Sequence, residues 1–198
     1  MNDVNRALQD IAKIRNKISE VQLFRGFGPL AIGLTGGLAI CLSALQSITS
    51  PSALLAPWIV LAGISAAMIG SEMWALTRRA HGAIAYDLLW AIVQRFLPCF
   101  MAGAAIGWII LAQAPEQAWL LPGLWQILIG LGVFAAMSML PQNIIWVGGW
   151  YLVAGVCVLL WSAQSLAIST WFMGVPFGVG QILMACLLHW APEKKHGG

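Results

Sequence analysis

The chain has 198 residues, of which 60% are hydrophobic and 9% are charged, and its mean hydropathy is +0.83. Soluble domains carry about a quarter charged residues, so this composition excludes an ordinary soluble globule, and it equally excludes a disordered chain. A formal net charge of +3 without a broad basic face excludes a nucleic-acid-binding protein. The apolar runs are continuous rather than alternating, which indicates an all-α integral membrane protein and not a β-barrel.

The first 25 residues are charged and precede the first long apolar run, which predicts a cytoplasmic amphipathic helix over 1–25. Its apolar residues recur at spacings of three and four, and Asp10 and Arg15 fall on g and e positions of that heptad pattern. Three interpretations stay open: a coiled coil that makes a homodimer, a helix lying on the lipid surface, and a helix folded under the bundle. The apolar heptad residues are Val4, Ala7, Ile11, Ile14, Ile18 and Val21.

Six apolar segments follow, each long enough to cross about 30 Å of hydrocarbon as a helix. They leave no room for a second globular domain, so we expect one six-helix transmembrane domain over 26–191 and a cytoplasmic tail over 192–198. The absence of an apolar core before residue 26 predicts that the first span is an uncleaved anchor. The predicted spans are Phe27–Gln46, Pro57–Leu76, Trp90–Gln113, Trp119–Leu140, Ile144–Ala163 and Ile168–Trp190.

Lysine and arginine predict the orientation. They precede the first span, follow the second at Arg78 and Arg79, and follow the sixth at Lys194 and Lys195, whereas the first, third and fifth connections carry none. The positive-inside rule therefore predicts that both termini are cytoplasmic. Tryptophans collect near both predicted interfaces, and Trp125 and Trp150 lie deeper, as packing residues.

The third and sixth spans align with each other at an offset of 77, with Phe100 on Phe177 and Gly103 on Gly180. Each also has a proline in its first half, Pro98 or Pro176. Three spans per repeat would give two inverted halves, a pattern typical of many transporters. The alternative is chance likeness between two apolar, glycine-rich helices.

The sixth span carries the main candidate site. Gly174, Gly178, Gln181 and His189 fall on one stripe of the predicted helix. One interpretation is a polar cavity lined by Gln181 with His189 at its inner mouth; the other is a tight helix contact joined by one amide hydrogen bond. We expect this stripe to pack against the third span near Gly103, because only small residues let helix backbones approach closely.

Glu72 and Arg95 are the ionisable residues inside the spans, and both lie near the cytoplasmic ends of adjacent helices. A charge inside the membrane is expensive and usually finds a partner, so we predict a Glu72–Arg95 ion pair. Such a pair could relay protons or gate a path, or it could be purely structural.

The sequence indicates no catalytic group, no metal site and no cofactor. His81, His189 and His196 all fall on the predicted cytoplasmic side, but no two share the i, i+4 spacing of a helical ligand pair, and CxxC is absent. The four cysteines lie in different spans and are expected to be apolar packing residues.

Three stretches, LPGLWQILIGLGVFAA (Leu121–Ala136), WYLVAG (Trp150–Gly155) and FGVGQIL (Phe177–Leu183), resemble a group of uncharacterised bacterial membrane proteins with six spans. Their N-terminal charged helix is similar to DIAKIRNKISEVQLFRG (Asp10–Gly26). The resemblance implies a bacterial inner-membrane location and transfers no functional residue.

Three functions stay open at this point. The first is a small transporter or channel-like protein for a small molecule or ion of unknown identity. The second is a non-enzymatic membrane sensor or scaffold that acts through the N-terminal helix. The third is a membrane-embedded haem or enzyme subunit. A polar cavity beside Gln181 would favour the first over the second.

Overall fold

The computed structural model describes residues 28–49, 55–79 and 83–190. The predicted amphipathic helix over 1–25 and the tail over 192–198 lie outside these residues. The described part contains six α-helices and no strand, and short 3₁₀ turns connect the third helix to the fourth and the fourth to the fifth. The helices are α1 Pro29–Thr49, α2 Ala56–Arg79, α3 Ala83–Gln113, α4 Leu121–Ala136, α5 Ile145–Ser165 and α6 Thr170–His189.

All six helices are long and apolar enough to cross a membrane, which confirms the predicted six-helix bundle. The predicted bounds agree with the observed ones to within three residues for most ends. The largest difference is at the start of α3, which begins at Ala83 and carries its apolar stretch from Leu89 onward. The helices end where the sequence places proline or small polar residues, as at Pro115 and Pro141.

Four helices form the centre of the bundle. α1 packs along α6, α4 packs along α5, and α6 joins the two pairs through contacts with α5 and α4. The outer helix α3 packs mainly on α4, and α2 mainly on α1. Only 17% of the α2 span and 11% of the α3 span is buried, against 28–44% for the other spans, so most of the surface of α2 and α3 is left uncovered by the other described helices.

The interior contains two apolar clusters, one towards each end of the bundle. At the end where α1 begins, the cluster is centred on Ile144, Val147 and Tyr151 of the α5 region. At the opposite end it is centred on Ala39, Leu121 and Met173. The side chains at both centres are almost completely buried, which is where close packing contributes most to stability.

The tryptophans predicted to lie at the interfaces differ in their exposure. Trp146, Trp161 and Trp190 lie at helix ends with two thirds or more of their surface exposed. Trp58 differs, because it is buried and its indole N–H donates to Gln46 Oε1 at 2.8 Å. Trp125 is half-buried and packs between helices, as expected.

The packing gives the predicted inverted repeat no support. A repeat of three spans would make the surroundings of α3 and α6 equivalent, yet α6 lies at the centre and α3 at the edge. A repeat would also make the contact between α1 and α2 equivalent to the contact between α4 and α5. The contact between α4 and α5 is far more extensive than that between α1 and α2. The likeness between Gly103 and Gly180 therefore has no counterpart in the packing.

Candidate functional site

The small residues of α6 form a close seam with α1. A Cβ atom on Gly178 would lie 2.5 Å from Ile40 Cγ1 and 2.9 Å from the Gly36 carbonyl oxygen. A Cβ atom on Gly174 would lie 2.6 Å from the Ala39 carbonyl oxygen, and it would overlap the Ser43 hydroxyl. Real Cβ atoms do not approach so closely, so the two backbones are in direct contact along the seam.

This seam corrects the prediction that the Gly178–Gln181 face packs on the third span near Gly103. α1 offers small residues at the same levels as those of α6, so the two helices interlock. Gly103 is buried, but it lies against the Trp125 ring of α4, whose indole N–H donates to the Gly103 carbonyl at 3.0 Å. The small residues of α3 thus pack against an aromatic ring and not against a helix backbone.

Gln181 faces the protein interior, as the cost of an unpaired amide in hydrocarbon predicts. Its side chain lies beside the hydroxyl of Tyr151, which is the largest fully buried side chain among the described residues. The same hydroxyl donates to the Phe177 carbonyl at 3.2 Å, and the ring fills the space beside Gly180. The amide predicted to line a cavity therefore lies at a packed contact between α5 and α6.

The N-terminal half of α6 receives side-chain donors from its neighbours. Proline has no N–H, so Pro176 leaves the carbonyl of Phe172 without its helical donor. Gln126 of α4 supplies that donor, because its side-chain N–H₂ lies 2.8 Å from the Phe172 oxygen. Trp150 of α5 donates to the Pro176 carbonyl at 2.9 Å. These contacts hold a proline-containing helix in place from two sides.

Sequence reasoning missed Gln126, Trp150 and Tyr151 as partners of α6. A signal was present for Gln126, which is a lone amide inside an otherwise apolar span and is only 3% exposed. Pairing it with Phe172 needed the three-dimensional arrangement, because the two residues are 46 positions apart and lie on different helices.

Glu72 caps the start of α1. Its carboxylate oxygen accepts a hydrogen bond from the backbone N–H of Ala31 at 2.9 Å. That N–H is among the first four of the helix, which have no partner within it. The carboxylate occupies the space where a Cβ atom on Gly28 would lie, so residue 28 accommodates it as glycine. A negative charge at this position also interacts favourably with the positive end of the dipole of α1.

Arg95 caps the C-terminal end of α4. Its guanidinium donates to the Ala135 carbonyl at 3.0 Å and to the hydroxyl of Ser138. The Ala135 carbonyl is one of the last four of α4, which lack helical donors, and a cation is favoured at this negative end of the dipole.

The predicted Glu72–Arg95 pair is therefore not formed. Each charged side chain is bound to a helix end of opposite polarity, Glu72 on α1 and Arg95 on α4. The physical reason is that a helix end inside the membrane also needs partners, and a charge that caps it satisfies two costly groups at once.

Polar side chains gather at the end of the bundle opposite the Glu72 cap. The Ser43 hydroxyl donates to the Thr170 carbonyl at 2.8 Å, and Gln46 accepts from Trp58. Gln126 Oε1 and the Ser162 hydroxyl are buried there without a hydrogen-bond partner among the described residues. Buried polar atoms of this kind are commonly met by ordered water.

The remaining candidates are dispersed. His189 is exposed in the last turn of α6, while His81 and His196 lie outside the described residues. Within the described ranges, no group of three or more His, Cys, Asp and Glu side chains is arranged to hold a metal ion. The cysteines are unpaired, and Cys41 and Cys157 are exposed on the outside of the bundle and not in its core.

The chain matches no known protein family. No curated protein and no solved structure matches it.

Proposed function

We propose that this protein is a non-enzymatic scaffold or sensor of a bacterial inner membrane, with both termini in the cytoplasm. In this proposal the bundle is a rigid anchor and the N-terminal helix over 1–25 is the working part, paired with the same helix of a second copy. The heptad pattern, with Asp10 and Arg15 at g and e positions, supports a parallel pair.

The observation that carries the proposal is the way in which α1 is held. In the sequence, the N-terminal segment precedes α1. The first turn of α1 is capped by Glu72, and α1 packs closely against α6 at Gly36, Gly174 and Gly178. We infer that a displacement of the attached segment would reach α6 through α1, because α1 is fixed at its first turn and along its seam. Gln181, which was predicted to line a conduction path, is meanwhile packed against Gly36 of α1.

Cysteine cross-linking in membranes tests the pairing. In a variant whose four native cysteines are replaced by alanine, Ile11→Cys places a thiol on the predicted seam, and Ala12→Cys places one beside it. We expect oxidation to produce a disulfide-linked dimer readily with Ile11→Cys and slowly with Ala12→Cys. Equal rates for the two variants would contradict a paired helix and with it this function.

Transport of a small molecule or ion is the second candidate, and one observation favours it. Gln126 Oε1 and the Ser162 hydroxyl are buried, polar and unpartnered within the described part of the chain, as expected of a hydrated entrance. The test is the glycerol permeability of liposomes that contain the purified protein. Faster glycerol entry than in protein-free liposomes, abolished by Gln126→Leu, would favour transport, and equal rates would argue against a glycerol-permeable path.

A further inference from the structure

An aromatic and cationic cluster lies where α2 ends and α3 begins. The Arg78 guanidinium carbon lies 5.0 Å from the centre of the Trp74 ring, which is a cation–π distance. The Trp74 ring meets the Tyr86 ring edge-on, with centroids 5.6 Å apart and planes at 75°. Two adjacent helices thus build one surface from Trp74, Arg78 and Tyr86, which we call the Arg78 shelf.

The Arg78 shelf is open to its surroundings. Trp74 is 47% exposed and Tyr86 is 39% exposed, and Arg78 is exposed as well. The shelf lies at the ends of two spans, where aromatic rings and arginines meet the headgroup layer of a bilayer. In a bilayer we therefore expect one side of the shelf to face acyl chains and the other to face lipid headgroups.

The donors of Arg78 are unused within the described part of the chain. The guanidinium carbon lies within cation–π distance of the Trp74 ring, and Arg78 makes no hydrogen bond or ion pair with any described residue, so its N–H groups are free to bind an anion. Arg95 provides the contrast, since its guanidinium donates to the Ala135 carbonyl and the Ser138 hydroxyl. A guanidinium that is fixed by a ring and still has free N–H groups is suited to bidentate recognition of a phosphate.

We propose that the Arg78 shelf binds the headgroup of an anionic phospholipid. Arg78 donates to the phosphate, and the Trp74 and Tyr86 rings contact the glycerol backbone and the first acyl carbons. The apolar rings are exposed on the side of the spans and favour a lipid over a free phosphate ester, because a free phosphate ester has no acyl chain to contact them. The adjacent carboxyl groups do not occupy Arg78: Glu72 binds Ala31, and Asp87 is itself exposed.

Native mass spectrometry of the full chain in detergent tests this site, with phosphatidylglycerol and phosphatidylcholine offered in equal amounts. We expect the protein to retain phosphatidylglycerol preferentially. Arg78→Gln should lower that retention about fivefold, which corresponds to about 1 kcal/mol per basic residue at a membrane surface. Arg78→Lys should lower it less, and Trp74→Leu should also lower it.

Arg95→Gln is the matched control, because it removes one positive charge without touching the Arg78 shelf. Equal retention by Arg78→Gln and the unmodified chain would overturn the proposal, and so would an equal loss in Arg95→Gln. Glycerol phosphate is the other arm of the test. If it displaces phosphatidylglycerol at comparable concentration, the site recognises a soluble phosphate ester and the lipid proposal fails. None of these outcomes bears on the pairing of the N-terminal helix.

Discussion

The carboxylate of Glu72 accepts a hydrogen bond from the backbone N–H of Ala31, although the two residues are 41 positions apart on different helices. This bond closes the first turn of α1 at the point where the chain enters the bundle. Together with the Trp58–Gln46 hydrogen bond, it joins α2 to α1, although α2 is otherwise loosely packed.

Replacing Glu72 should measure the strength of this cap. Glu72→Gln keeps an acceptor and loses the charge, so we expect the free energy of unfolding in detergent to fall by about 0.3–1 kcal/mol. Glu72→Leu leaves the Ala31 N–H unpaired and should cost about 1–3 kcal/mol. Ser71→Ala is the control, because the exposed Ser71 hydroxyl bonds only within its own helix. A similar loss in Ser71→Ala would contradict a specific cap.

Glu72 and Arg95 should act independently, because each caps a different helix. In a double-mutant cycle with Glu72→Gln and Arg95→Gln, we expect a coupling energy below about 0.5 kcal/mol, as for separated sites. Chemical unfolding of the four proteins in the same detergent provides the measurement. A larger coupling energy would mean that the two charges interact after all.

Gln126 should matter because of Pro176. Gln126→Leu removes the donor to the Phe172 carbonyl and should lower the free energy of unfolding by about 1–3 kcal/mol. Pro176→Ala restores a backbone N–H to that carbonyl, so in this background Gln126→Leu should cost clearly less. Gln164→Leu, on the exposed surface of α5, is the control. An undiminished cost in the Pro176→Ala background would show that Gln126 stabilises the bundle in some other way.

The seam glycines should respond to substitution according to their surroundings. Gly178→Ala forces a methyl group into Ile40 and the Gly36 carbonyl, and we expect a loss of about 1–3 kcal/mol, as for an overpacked core. Gly37→Ala is the matched control, since a Cβ atom there would meet nothing within 4 Å. Its effect on thermal stability in detergent should be small, and a loss as large as that of Gly178→Ala would contradict the seam.

The sequence was sufficient for the six spans and insufficient for their partners. Apolar length is a local property, so the span from Thr170 to His189 could be predicted within two residues at its start. Which helix faces Gly178 is not local, because α1 and α3 both carry a pair of glycines four residues apart. The surrounding side chains determine the outcome. The Trp125 ring packs on the two glycines of α3, so α6 packs against α1 instead.

The ion pair was mispredicted for a related reason. Charge complementarity alone matches Glu72 with Arg95, but it ignores helix ends, which carry partial charges and unpaired backbone groups of their own. The sequence indicated that Glu72 needs a partner. It contained no signal that the partner is the Ala31 N–H.

The close packing of α1 against α6 is the central feature of the bundle, and a disulfide tests it directly. A Cβ atom on Gly33 would lie 3.5 Å from Ala185 Cβ, a separation that suits a disulfide. With the native cysteines replaced by alanine, Gly33→Cys with Ala185→Cys should cross-link rapidly within one chain in the membrane. Gly103→Cys with Ala185→Cys, which joins α3 to α6, should not. Cross-linking of the Gly103 pair in place of the Gly33 pair would contradict this arrangement.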